Sequence, residues 1–74
     1  IQYELSESKF INIDIYDVRG RKIKSLINSY QGAGHRSVYW DATNNLGQPV
    51  SAGMYVYTIQ AGGFRQTRKM VLLK

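Results

Sequence analysis

His35, Ser37 and Asp41 are of the types that build a hydrolytic triad, which needs the histidine within hydrogen-bond reach of both partners. On an extended strand His35 and Ser37 share a face, but at about 3.4 Å per residue Asp41 lies roughly 20 Å further along. Nucleophilic catalysis is therefore not expected. The run Asp41-x-Thr43-x-Asn45 has the opening of a calcium loop, yet its glycine, Gly47, comes one residue late and no acidic residue follows to close the site. A turn held by side-chain bonds to its own backbone is the better reading. His35 is the sole histidine of a chain without cysteine, so it has no second ligand of its class for a metal. No cofactor is expected.

Tyr39, Tyr55 and Tyr57, with Arg36 and Arg65 in the sequence around them, offer stacking faces beside charge, which is how a carbohydrate or nucleic-acid platform is built. Against this, Tyr55, Tyr57 and Ile59 share one strand parity, and such a stripe usually packs in a core with its phenol oxygens reaching a partner or solvent. Arg65, Arg68, Lys69 and Lys74 cluster near the end of the chain. They serve equally as a recognition surface or as charges that keep a strand edge from aggregating.

These residues must be positioned by a small framework. Seventy-four residues make one domain, and a chain of this size buries only about 60% of its unfolded surface. Without cysteine or a metal cluster, aromatic and β-branched packing alone must hold it. The formal charge of +5 permits acidic partners, but the basic residues are scattered rather than blocked. No apolar run is long enough for a transmembrane helix. Opening on Ile1 rather than methionine, the chain reads as a segment of a larger protein.

The framework is organised around Gly53–Lys74. Two apolar runs, Met54–Ala61 and Thr67–Leu73, flank Gly62-Gly63, a hairpin signal because glycine accepts the positive φ of tight turns. The second run is apolar at both parities, Met70 and Leu72 against Val71 and Leu73, which predicts an interior strand covered on both faces. Upstream, Ile1, Tyr3 and Leu5 alternate with polar residues as in a half-buried edge strand. Ser6-Glu7-Ser8 turns into Lys9–Tyr16, with Ile11, Ile13 and Ile15 inward and Phe10, Asn12, Asp14 and Tyr16 outward. Asp17–Gly20 is a hairpin loop whose glycine takes the φ > 0 position. Arg21–Ile27 follows, with Ile23 inward and a bulge or strand end near Ser25, because Leu26 breaks parity.

Asn28–Gly34 reads as a loop. His35–Asp41 reads as a strand with Val38 and Trp40 inward, and Trp40, the largest side chain, is the predicted centre of the core. Asp41–Gly47 is a turn, Gln48–Ser51 is extended, and Ala52-Gly53 leads into the hairpin. Six or seven short antiparallel strands without helical periodicity make an all-β sandwich.

In order and spacing, these residues also carry a resemblance. Ile15-Tyr16-Asp17-x-x-Gly20-x-x-Ile23, Gly34-x-x-x-Val38-x-Trp40-Asp41, Asn45-x-Gly47-x-x-Val50 and Gly53-x-Tyr55-x-Tyr57-x-Ile59 together resemble the small immunoglobulin-like domain shared by the flagellar hook-capping protein and the carboxy-terminal sorting domains of type IX secretion substrates. The terminal Thr67–Lys74 resembles the sorting branch in particular. Ala42 departs from the pattern, since the group commonly has glycine after Trp-Asp.

The resemblance implies a small immunoglobulin-like β-sandwich that is a non-catalytic address module on a secreted parent protein of Bacteroidetes-type bacteria. Its implied partners are the outer-membrane translocon and a sortase-like peptidase, with passage through the periplasm to the cell surface and no role for nucleic acid. Its recognition role would fall on Gly20, the loop glycine of Tyr-Asp-x-x-Gly, and on Lys69, Val71, Leu73 and Lys74 of the last strand. An inert immunoglobulin-like spacer and a carbohydrate-binding module are the two alternatives.

Overall fold

The computed structural model describes residues 1–73. Isoleucines alternating with polar residues place β2 (Lys9–Asp17) at the centre, because one whole face of it must be buried. Its neighbours are β3 (Lys22–Gln31) and β5 (Gly53–Ala61), and β6 (Phe64–Leu72) pairs with β5, giving a four-stranded antiparallel sheet ordered β3-β2-β5-β6. A second sheet pairs β1 (Gln2–Leu5) with β4 (Gly34–Ser37). All strand pairings are antiparallel, as the turn spacing predicts, and no helix occurs among the described residues.

The core lies between the sheets. Ile11, Ile13 and Ile15 are each 0% exposed. Ile11 and Ile13 face Ala61 and Ile59 across the β2–β5 ladder, and Leu5 closes the same cluster from the two-stranded sheet. Tyr3, Leu26, Ile27, Val38 and Tyr57 pack around it half-buried. The Gly62-Gly63 turn is present with Gly62 at φ 60°, and Gly20 takes φ 86° in the β2–β3 turn. The bulge near Ser25 is present too: the register steps from Ile13↔Ile27 to Asp14↔Ser25, leaving Leu26 as the extra residue. That extra residue lets Leu26 and Ile27 both reach the core.

Four expectations are corrected. β3 continues through Asn28–Gln31, which composition assigned to a loop, because Lys9–Asn12 offers it a ladder to pair with. Trp40 is half-buried and lies outside the core cluster; β4 ends at Ser37, and Trp40 lies beyond it. Its inward parity with Val38 is nevertheless correct, since Tyr39 between them is 86% exposed. Asp14 is buried rather than exposed, its Oδ2 3.5 Å from Lys22 Nζ, because its central strand is flanked on both sides, with Ser25 of β3 and Thr58 of β5 in register beside it. The last strand is an edge strand and not an interior one. Of its two apolar parities, Met70 and Leu72 are half-covered, while Val71 is 61% and Leu73 84% exposed.

The loop after Trp40 protects the open edge of β3. Asp41 Oδ1 accepts from Thr43 N at 3.2 Å, and Asn44 Oδ1 accepts from Leu46 N and Gln48 N at 2.9 and 3.0 Å. The folded turn then docks on β3, with Asn45 N donating to Ile23 O and Ser25 N donating to Asn45 Oδ1. Main-chain groups on that edge are thereby satisfied.

Candidate functional site at the terminal strand

His35 and Ser37 share an open surface depression with Glu4, but Asp41, the third residue of the triad types, is not among its lining. His35 Nε2 pairs with Glu4 Oε2 at 3.2 Å on the solvent face of the small sheet. Asp41 is held by Thr43 and by Lys24 Nζ at 3.7 Å. In the would-be calcium loop the side-chain oxygens are already used, Asp41 by Thr43 and Asn45 by the Ser25 amide. Among the described residues no group of three or more potential ligands could hold a metal.

The tyrosines do not form one platform. Tyr55 is buried and its hydroxyl donates to Ser51 O at 2.6 Å, Tyr57 is half-buried against the core, and Tyr39 is exposed elsewhere. The core reading of the Tyr55–Ile59 stripe is the correct one.

Charge is distributed more informatively. Each of the five side-chain carboxylates has a basic partner: Glu7 pairs with Lys9, Asp14 with Lys22, Asp17 with Arg21 and Asp41 with Lys24, and Glu4 meets His35, a pair that is ionic when the imidazole is protonated. Arg19, Arg36, Arg65, Arg68 and Lys69 have no carboxylate partner among the described residues, and three of these five lie on β6. The excess positive charge thus concentrates on the edge strand, where the sequence groups Arg65, Arg68 and Lys69, and the fold adds that these three have no carboxylate partner among the described residues.

The strand's alternation sorts these residues onto two faces. Opposite the inward Tyr55, Tyr57 and Ile59 stand Met70, Arg68 and Gln66, so these point toward the small sheet. Arg65, Thr67, Lys69 and Val71 point the other way, beside Gln60, Thr58, Val56 and Met54. Lys69 and Val71 therefore share one exposed face, and Leu73 follows just past the strand end. Lys74 lies outside the described residues. Gly20 is at the same end of the large sheet, since Asp17 registers with Tyr55 and Tyr55 with Met70, but its turn belongs to β2 and β3.

The Gly20 turn is built by Asp17. Its Oδ1 accepts from the Arg19 and Arg21 amides, each at 2.9 Å, and its Oδ2 pairs with Arg21 Nε at 3.2 Å. The Arg21 amide first, with the Arg21 side chain and the Arg19 amide, holds the Asp17 carboxyl below its ordinary value of 3.8. The Thr43 hydroxyl, then the charge of Lys24, does the same for Asp41. Both carboxylates are turn-builders.

Sequence reasoning missed Arg68, Gln66 and Phe64 as a group. They line a groove of about 340 Å³ between β6 and the unpaired edge of β1. With the Gln66 amide oriented by its hydrogen-bond network, its oxygen accepts from Arg68 Nε and Nη2 at 2.8 and 2.7 Å.

A family model described as FlgD Ig-like domain matches residues 1–63. The match ends at the β5–β6 turn, so all of β6 falls beyond it. Neither a curated protein nor a solved structure matches the chain.

Proposed function

The chain belongs to the FlgD Ig-like domain family, and from that premise we propose that it is a non-catalytic sorting module whose terminal strand is read as an address by a type IX secretion translocon. What carries the proposal is the state of β6. It lies beyond the family match, occupies an open sheet edge, and leaves Val71 and, just past its end, Leu73 exposed beside Lys69, which has no carboxylate partner among the described residues. A strand edge meant only to stay soluble carries charges and buries its apolar residues. This one leaves apolar residues in solvent next to charge, as a recognition surface does. The Gly20 turn stands at the same end of the sheet, where a receptor holding the end of β6 would meet it.

On this reading the module passes with its parent through the periplasm to the cell surface, where a sortase-like peptidase removes it. The competing reading is an immunoglobulin-like spacer, favoured by the family match itself, which covers the framework and stops before β6. A secreted reporter fused to this domain in a host with a type IX system separates the two. Lys69→Glu with Lys74→Glu should strand the reporter in the periplasm. Surface display at the unmodified level would remove these lysines from the address and leave the spacer reading.

A further inference from the structure

We propose that the groove between β1 and β6 is a docking site for an extended peptide strand of another protein, one that places an acidic side chain over Arg68 and an apolar one beside Phe64. The two sheets are unequal: two strands face four. β4 occupies one edge of β1, and no strand occupies the other. Below that free edge Tyr57, Ile59 and Ala61 form an apolar floor, and Phe64, Gln66 and Arg68 form the far wall.

The ladder shows which main-chain groups are on offer. Ile1 and Val38 exchange both of their backbone bonds, Val38 N to Ile1 O at 2.8 Å and Ile1 N to Val38 O at 3.0 Å. Antiparallel pairs alternate, so Tyr3 and Leu5 also turn their polar groups toward β4. The N–H and C=O of Gln2 and Glu4 then point over the groove, and no strand pairs with them. An added strand would bond to these four groups, which is the recognition mode of sheet-edge binders.

Side chains specify the occupant. Leu5 shares an adjoining depression with Ala61 and Phe64, so the Gln2 end of β1 faces the Arg68 end of β6. Among the described residues Arg68 has no carboxylate partner: Glu7, Asp14, Asp17 and Asp41 pair with Lys or Arg elsewhere, and Glu4, on β1, pairs with His35. Phe64 is 58% exposed. Tyr3 lines the same groove and keeps a buried hydroxyl without a partner. A second copy of this chain is a poor occupant through its long free edge, β6, which would bring more cations onto Arg68. The complement is an alternating strand with a carboxylate four positions from an aliphatic residue, the spacing of Arg68 and Phe64 on β6, both facing inward.

The test is an NMR titration of the 74-residue chain with acetyl-Thr-Glu-Thr-Thr-Thr-Val-Thr-amide, read at the Gln2 and Glu4 amides. We expect saturable shifts there, binding weaker by about tenfold or more when the peptide's Glu is replaced by Lys, and the reverse preference in Arg68→Glu. Methylating the peptide's main-chain nitrogens should abolish binding, and Lys69→Glu, on the opposite face, should leave it unchanged. That last variant keeps this site separable from the sorting address. The proposal is overturned if no saturable shift appears at millimolar peptide, if the shifts fall on Lys69 and Val71, or if the charge preference survives Arg68→Glu. It is equally overturned if cello-oligosaccharides shift these amides while the peptide does not, which would make the groove a sugar site.

Discussion

Trp40 meets Tyr55 edge to face, with ring centroids 5.1 Å apart and planes at 72°, outside the cluster of isoleucines that fills the sandwich. The indole Nε1 donates to Thr43 O at 2.8 Å, so the ring fastens the Asp41–Gln48 turn to β5. It works as a clasp on a loop, and its polar end is used as well as its area.

The ranking of core mutants follows. Ile13→Ala removes a fully buried side chain from the core between the two sheets and should cost about 4 kcal/mol. Trp40→Ala gives up a half-buried ring, one hydrogen bond and one aromatic contact, and should cost about 2 kcal/mol. Denaturant midpoints of the two variants give the order. A Trp40→Ala chain less stable than Ile13→Ala would return the tryptophan to the centre of the core.

The three isoleucines were legible because period two on a long strand admits one burial pattern. Residues whose fate depends on distant partners were not. Asn28–Gln31 is strand only because Lys9–Asn12 lies opposite, which local composition does not record. Met70–Leu73 looked doubly covered because apolar residues at both parities imply two covering layers, whereas here the outward pair is left in solvent. In the site, the partners of the candidate residues were not legible either: His35 meets Glu4, and Asp41 meets Thr43 and Lys24, across loops and strands that residue types alone do not join. The groove beside Arg68 stayed hidden because it is made by two strands far apart in sequence.

Ala42 sits at φ 63°, a left-handed conformation that costs an L residue about 1–2 kcal/mol. Its carbonyl accepts from Val50 N at 3.0 Å, so the turn holds that geometry in place. The structure thus keeps the glycine-like turn that the resemblance implies, with alanine bearing the strain. Ala42→Gly should stabilise the domain by about 0.5–1 kcal/mol after glycine's entropic loss. Gly20→Ala, at φ 86° in open space, should destabilise it by about 1 kcal/mol. Thermal melts of the two variants should move in opposite directions.

Acid should loosen the two turns together. Asp17 and Asp41 both have carboxyls held below 3.8 in the fold. A lowered folded-state value means that the unfolded chain binds protons first, so the stabilisation is present above the unfolded value and fades as pH falls through the folded one. The melting temperature should therefore owe these groups nothing variable between pH 5 and 8, and should decline below about pH 4. Asp17→Asn and Asp41→Asn should lower stability at neutral pH and flatten that decline. An acid limb as steep in the double variant as in the parent would place its origin in other carboxylates.

The family match invites truncation after Gly63, and the structure argues that such a chain does not fold. β6 supplies a register partner to every residue from Gly53 to Ala61. Without it, β5 becomes the edge, its outward main-chain groups lose their ladder, and Tyr55, Tyr57 and Ile59 lose the cover of Met70, Arg68 and Gln66. A domain this small has a margin of only about 5 kcal/mol, which such a loss exceeds. Residues 1–63 should show no cooperative melt and little dispersion of amide resonances. Lys69→Glu in the full chain exchanges one exposed charge and should keep the melting temperature within a few degrees, since surface changes typically move stability by less than about 0.5 kcal/mol. A cooperatively folding 1–63 chain would show that β6 is an appendage, and then truncation alone would suffice to test whether the strand is read.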